Sequence, residues 1–153
     1  CGRLNSFHAL LEDMLSNAAK HTLYLDRQVL AVQKQQALSL GDLHLIAAVG
    51  ETGGDGCRVS RLARALDIAP SSASIAVDKL VKRGFVTRVR SKMDVRVVYV
   101  HLTDAGQQVY MCYRACRQDM AQELASRMTE SEKRSMTSVM RKMNEYFRTK
   151  GQE

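Results

Sequence analysis

Between Arg58 and His101 the apolar residues change from helical to alternating spacing, and this one stretch also carries the whole net charge of the chain. It holds ten Lys and Arg (Arg58, Arg61, Arg64, Lys79, Lys82, Arg83, Arg88, Arg90, Lys92, Arg96) against three acids (Asp67, Asp78, Asp94), and the rest of the 153 residues is neutral overall. Val59, Leu62, Ala63 and Leu66 recur at three- and four-residue intervals, which predicts a short helix with Arg58, Arg61 and Arg64 turned away from that side. Asp67-Ile68-Ala69 forms the turn. Pro70 suits the first turn of a second helix, where a missing N–H costs nothing, and Gly84 stops that helix after Arg83. Ala73, Ala76, Val77, Leu80 and Val81 make its inward stripe, leaving Ser71, Ser72, Ser74, Ile75, Asp78, Lys79 and Lys82 to face out. Phe85 to Arg90 and Val95 to Leu102 then alternate as strands, with Ser91-Lys92-Met93-Asp94 as a hairpin tip.

Helices flank this segment on both sides. Residues 6 to about 36 place Phe7, Leu10, Leu11, Met14, Leu15 and Ala18 on one stripe, and the polar run Gln33 to Gln36 marks its end. Ser39 and Asp42 form a capping pair that opens a short buried helix through Val49, ended by Gly50. Thr103 caps another long helix, which runs to about Arg127 and extends ~37 Å. Thr129 with Glu132 opens the last, whose apolar positions are Met136, Val139, Met140, Met143, Tyr146 and Phe147. The fold class expected is mainly α with a small β-hairpin wing: a winged helix-turn-helix lobe at 39–101 on a helical dimerisation body at 1–36 and 103–150.

Several function classes are excluded by composition and spacing. The glycine-rich segment Glu51 to Gly56 completes no phosphate-binding loop and carries two acids that would repel phosphate, so it reads as a surface turn. Paired carboxylates, a nucleophile–base arrangement and a cofactor loop are all missing, so neither an enzyme nor a cofactor is expected. No apolar run approaches the ~18 residues of a membrane span, and the start lacks the pattern of a signal peptide, although a first residue of Cys rather than Met leaves the native terminus open. Four cysteines without a Cys-x-x-Cys pair fit a reducing cytoplasm better than a disulfide framework.

A neutral helical body carrying a basic helix-turn-helix and ribbon is suited to double-stranded DNA. In this geometry the second helix enters the major groove and the wing follows the backbone or minor groove. Ser71, Ser72 and Ser74 can bond base edges or phosphate, Ile75 offers apolar surface to a thymine methyl, and Lys79 is placed for phosphate. Arg90, Lys92 and Arg96 surround the hairpin tip, with Asp94 positioned to hold an arginine. The competing function, a winged-helix adaptor for protein partners without specific DNA reading, has no need of ten basic residues here.

The motifs Val59-Ser60-Arg61-Leu62-Ala63, Ser71 to Leu80, Lys82-Arg83-Gly84-Phe85-Val86-Thr87-Arg88, Asp94-x-Arg96 and Leu102-Thr103-Asp104-Ala105-Gly106 resemble those of the MarR family of dimeric winged-helix transcriptional regulators. The resemblance implies a homodimer built from the first and last two helices, major-groove reading by Ser71 to Lys79, and a minor-groove contact from Arg96 supported by Asp94. Family members bind phenolic compounds, metals or oxidants in a crevice between body and DNA lobe. The expectation for this chain is a small apolar or amphipathic effector there, among the first, second and fifth helices near Met14, His44 and Tyr113, which binds one spacing of the two reading heads better than the other. Two departures stand out: Ile75 where the family often has Arg or Lys, and Val95 in place of the first of two wing arginines. Leu43-His44-x-Ile46 with Val49-Gly50 and the arginine-rich wing further resembles the subgroup that represses fatty-acid synthesis genes.

Cys112 and Cys116, four apart on the long helix, share a face and with His44 offer an alternative thiol or metal site. Their stripe with Val109 and Met120 favours buried, inert thiols. His8, His21 and His101 are isolated along the chain and read as surface or packing residues.

Overall fold

The computed structural model describes residues 2–151, with side chains from Ser6 onward. In chain order the elements are α1 (Gly2–Val32), a 3-10 turn (Lys34–Gln36), α2 (Leu40–Gly50), β1 (Cys57–Arg58), α3 (Val59–Ala65), α4 (Pro70–Lys82), β2 (Val86–Arg90), β3 (Val98–Leu102), α5 (Asp104–Ser126) and α6 (Glu130–Lys150). Two compact units result, Cys1–Cys116 and Arg117–Glu153. The division falls inside α5 rather than at the edge of the winged-helix segment, because Val29 of α1 and Val109 and Tyr110 of α5 belong to the same core as α2 and the sheet.

In the first unit, α2 is the central element. Leu43, Leu45, Ile46, Ala47 and Val49 are all buried, so its apolar residues crowd almost the whole circumference rather than one stripe. Its start is fixed locally. Ser39 Oγ accepts from the Asp42 N–H at 3.1 Å and the Asp42 carboxylate accepts from the Ser39 N–H at 2.9 Å. Around α2 pack Leu62 of α3, Val77 and Leu80 of α4, and Val86 and Val100 of the sheet. Close approaches depend on glycine: a Cβ at Gly50 would enter the Tyr110 ring, and one at Gly106 would strike the Phe85 carbonyl oxygen.

The helix-turn-helix is punctuated as its residues require. Asp67 takes the left-handed conformation (φ 52°) in the turn, and the Ile68 N–H donates to the Ala63 carbonyl at 3.0 Å. At the end of α4, Gly84 (φ 81°) lets its own N–H reach the Val81 carbonyl and that of Phe85 reach Leu80, each at 3.0 Å.

The wing differs from a simple hairpin in two ways. A third strand, β1, pairs antiparallel with β3 through Cys57–Val100 and Arg58–Tyr99, giving the order β1-β3-β2. Arg58 therefore sits in a strand and not on the helix. The tip is also longer, because the Ser91 N–H donates to the Val97 carbonyl and the Asp94 carboxylate turns the chain back on the Arg96 N–H, leaving Val95 and Arg96 in the loop. Val81, placed by spacing on the inward stripe of α4, is exposed. It lies on the last turn, where the core beneath has given way to Phe85 and the strand.

The second unit is the end of α5 and all of α6. Thr129 and Glu132 form a reciprocal cap at 3.2 and 2.8 Å. Met136, Val139, Met140, Tyr146 and Phe147 are exposed on α6, which buries none of its residues. Among the described residues no helix is long and apolar enough to cross a membrane.

Candidate nucleic-acid interface

The outward face of α4 is polar except at one place. Ser71 and Ser72 are exposed, and Ile75, one turn on from Ser72, is 70% exposed despite its size. Ser74 is half-buried and already engaged: Arg88 of β2 donates to its Oγ at 3.2 Å and to its carbonyl at 3.3 Å. The same guanidinium pairs with Asp78 at 2.8 Å, so Arg88 ties α4 to the sheet beside the exposed serines.

A second tie holds the C-terminal end of α4. Asp42, 6% exposed, receives Arg83 at 3.2 Å and Lys79 at 3.5 Å. Arg83 also donates to the carbonyls of Gln36 and Ala37 in the linker before α2 and lies over the Phe85 ring. Burial alone would raise the Asp42 pKa, but hydrogen bonds from Ser39 and the charges of Lys79 and Arg83 hold it below the ordinary carboxylate value. Lys79 thus leans on Asp42 while more than half of its side chain stays open to solvent.

At the wing tip the Asp94 carboxylate accepts from the Arg96 backbone at 3.0 Å, from Nε at 3.1 Å and from Nη2 at 3.3 Å. These bonds, aided by Arg58, hold Asp94 below its ordinary pKa against slight desolvation. The Arg96 side chain is otherwise open to solvent, and Arg90 and Lys92 are exposed beside it. Arg58 rests over the Tyr99 ring, and a recess of about 300 Å³ lies between Arg58, Ser60 and Arg96. Arg83, Arg88 and Asp42 were not singled out as positioning residues by the sequence. Arg88 lacks a local signal, whereas the burial of Asp42 was implied by the apolar residues on every side of it.

The three residues of the expected effector crevice are not all neighbours. His44 Nε2 meets the buried Asp26 of α1 at 2.9 Å. Tyr113 packs on the core and stacks with Tyr110. Met14 lies twelve residues before Asp26 on the same helix, ~18 Å away by helical rise. Cys112 and Cys116 are free and half-buried against the core. Burial, the neighbouring Cys116 and its hydrogen bond raise the Cys112 pKa, with Gln33 opposing. Burial likewise raises Cys57, against the charge of Arg61. Among the described residues no three His, Cys, Asp or Glu side chains come together as a metal-ligand set.

Two helices joined by a tight turn, followed by a small sheet whose tip carries arginine, define a winged helix-turn-helix protein. Residues 38–98, from just before α2 to the wing, match the model of the MarR family. The HTH-type transcriptional regulator YpoP of Bacillus subtilis is 32% identical over 47% of this chain and 50% of its own length. BilQ of Clostridium symbiosum, also named an HTH-type transcriptional regulator, is 26% identical over 72% of this chain and 75% of its own. These relatives are named as regulators and not as enzymes. The chain thus spans half the length of YpoP and three quarters of BilQ. Among solved structures, Streptococcus pneumoniae FabT in complex with DNA superposes with a TM-score of 0.79 and 20% identity, covering 93% of this chain and 98% of that one. At that identity the likeness is one of fold.

Proposed function

We propose that this MarR-type chain is a sequence-specific DNA-binding transcriptional regulator, a repressor that acts as a homodimer on an inverted-repeat operator and is modulated by a small apolar or amphipathic effector. The observation that carries the reading is the surface formed by α4 and the wing. Ser71, Ser72 and Ile75 stand open on a helix whose C-terminal half is held by ion pairs at Asp78 and Lys79, next to a loop bearing Arg90, Lys92 and Arg96. Such a face reads bases through its helix and holds phosphates through its cations. Support from fold comes from FabT, which was solved on DNA. The exposed apolar residues of α1 (Phe7, Leu10, Met14, Leu15) and α6 support self-association, and a protein seated on an operator excludes polymerase by its bulk. The effector region proposed is that of His44 and Tyr113.

Selection of bound duplex from a random pool, followed by footprinting and sedimentation, tests this. Two half-sites about one turn, ~10 bp, apart and a dimer at micromolar concentration are expected. Affinity should fall on the order of a thousandfold between 50 and 200 mM salt if ~6 to 10 phosphates are neutralised. A monomer on a single half-site, or binding indifferent to salt, overturns the reading.

A further inference from the structure

We propose that Met93 is an apolar wedge which the wing presses between base pairs of the minor groove, bending the duplex at a flexible step. This rests on the DNA reading given above. Met93 is 96% exposed, more than any other large apolar residue described, and Val95 beside it is 68% exposed. An apolar side chain held that far into water gains free energy from any surface that covers it.

The tip is built to hold it there. The Ser91 N–H donates to the Val97 carbonyl at 2.8 Å and the Val97 N–H to the Asp94 carbonyl at 2.9 Å, closing the loop at its base. Ser91 Oγ accepts from the N–H groups of Met93 at 3.2 Å and Asp94 at 3.4 Å, fixing the backbone that carries the exposed side chain. Little backbone ordering is therefore left to be done on binding.

Charge selects the occupant. Arg90, Lys92 and Arg96, all exposed, lie within three residues of Met93 along the chain, and the one acid of the tip, Asp94, is taken up by Arg96. An apolar point flanked along the chain by cations complements a groove whose floor is base stack and whose walls are phosphate. Proteins that enter the minor groove insert Met, Leu, Ile or Phe in this way, and pyrimidine–purine steps unstack most readily. Methionine, unbranched and polarisable, is slim enough to enter between bases. An anionic lipid surface offers the same charge, but the tip presents only two apolar side chains on a narrow loop, next to a helix face of serines.

The test uses the full chain and a duplex selected by it from a random pool, with 2-aminopurine placed in turn along the flanks that the wings cover. The wild type should raise the fluorescence at one step per half-site and shorten the end-to-end distance measured by energy transfer. Met93→Ala should abolish both signals and weaken binding about tenfold on duplexes with a TA step there, and far less where that step is replaced by an A-tract. Met93→Leu should retain most of each signal. Duplex binding by the wild type with Met93→Ala unchanged in fluorescence, bend and affinity overturns the wedge and leaves the regulator reading standing. No selected duplex at all overturns both. Binding to phosphatidylserine vesicles that Met93→Ala removes, with DNA bending unaltered, assigns the tip to lipid and overturns the proposal.

Discussion

Arg83 donates to the buried carboxylate of Asp42 at 3.2 Å across 41 residues of sequence, joining the residue that caps the end of α4 to the first turn of α2. Since Asp42 also caps α2 through Ser39, one carboxylate sets both the start of the central helix and the seat of α4. Asp42→Ala should lower the unfolding free energy by about 2–4 kcal/mol, because it removes a cap and leaves Arg83 and Lys79 without their shared anion. Urea denaturation measures this. A change below about 0.5 kcal/mol would show the pair to be idle.

The same residue sets an acid limit. Asp42 and Asp94 both titrate below their unfolded value near 3.9, so each contributes stability that is fully present above that value and is lost as pH falls through the lower folded value. Their contribution to stability should therefore be flat from pH 7 to about 5 and decline below about 4. In Asp42→Asn that decline should be shallower, which chemical denaturation at a series of pH values would reveal.

Glycine at two helix positions is demanded by different obstacles. Gly50→Ala and Gly106→Ala should each destabilise by about 1–3 kcal/mol or more. At Gly50 the obstacle is the Tyr110 ring, so Tyr110→Val should recover part of the loss in the double variant. At Gly106 it is the Phe85 carbonyl, and changing the Phe85 side chain should recover nothing. Thermal melts of the four variants and the two doubles decide the matter.

Base reading and backbone attachment should separate on α4. Ser72→Ala and Ile75→Ala should change preference among selected duplexes, each lost base contact being worth ~1–3 kcal/mol, whereas Lys79→Ala should weaken all sequences alike. Arg96→Ala should weaken binding most where the minor groove is narrow. Asp94→Ala, which frees Arg96 from its bidentate seat, should then add little in the double variant. Competition titrations against a panel of duplexes measure the five single variants and the double. Unchanged preference in both the Ser72 and Ile75 variants would move the reading face elsewhere.

Raised thiol pKa values mean little thiolate at neutral pH. Cys57 and Cys112 should alkylate with iodoacetamide more slowly at pH 7 than a free cysteine, and accelerate as pH rises past 9. Peptide mass spectrometry over time gives both rates. Fast labelling of Cys112 at pH 7 would return it to consideration as a sensor.

Local chemistry made most of the architecture readable from sequence. The caps at Ser39, Thr103 and Thr129, Pro70 at a helix start and Gly84 at its end each act within three or four residues, so their patterns survive in the sequence. Strand β1 does not, since two residues have no period and Cys57–Arg58 becomes a strand only by meeting Val100 and Tyr99. The Asp94 turn that lengthens the wing tip hides inside an alternating stretch. Asp26, which meets His44, left a faint mark: it stands one turn before the buried Val29 and so had to lie on the covered face of α1. The reach of Arg83 to the Gln36 carbonyl left none, because nothing in a sequence links positions that far apart.

Helix α6 presents five large apolar residues to solvent and buries nothing of its own. In the homodimer proposed above, its cover is supplied by a second molecule, and folding of this segment becomes a reaction of second order. Its melting temperature would then climb with protein concentration, and dilution alone would loosen it. For a regulator present in few copies per cell, mass action would then govern how many intact reading heads exist at all, before any ligand arrives.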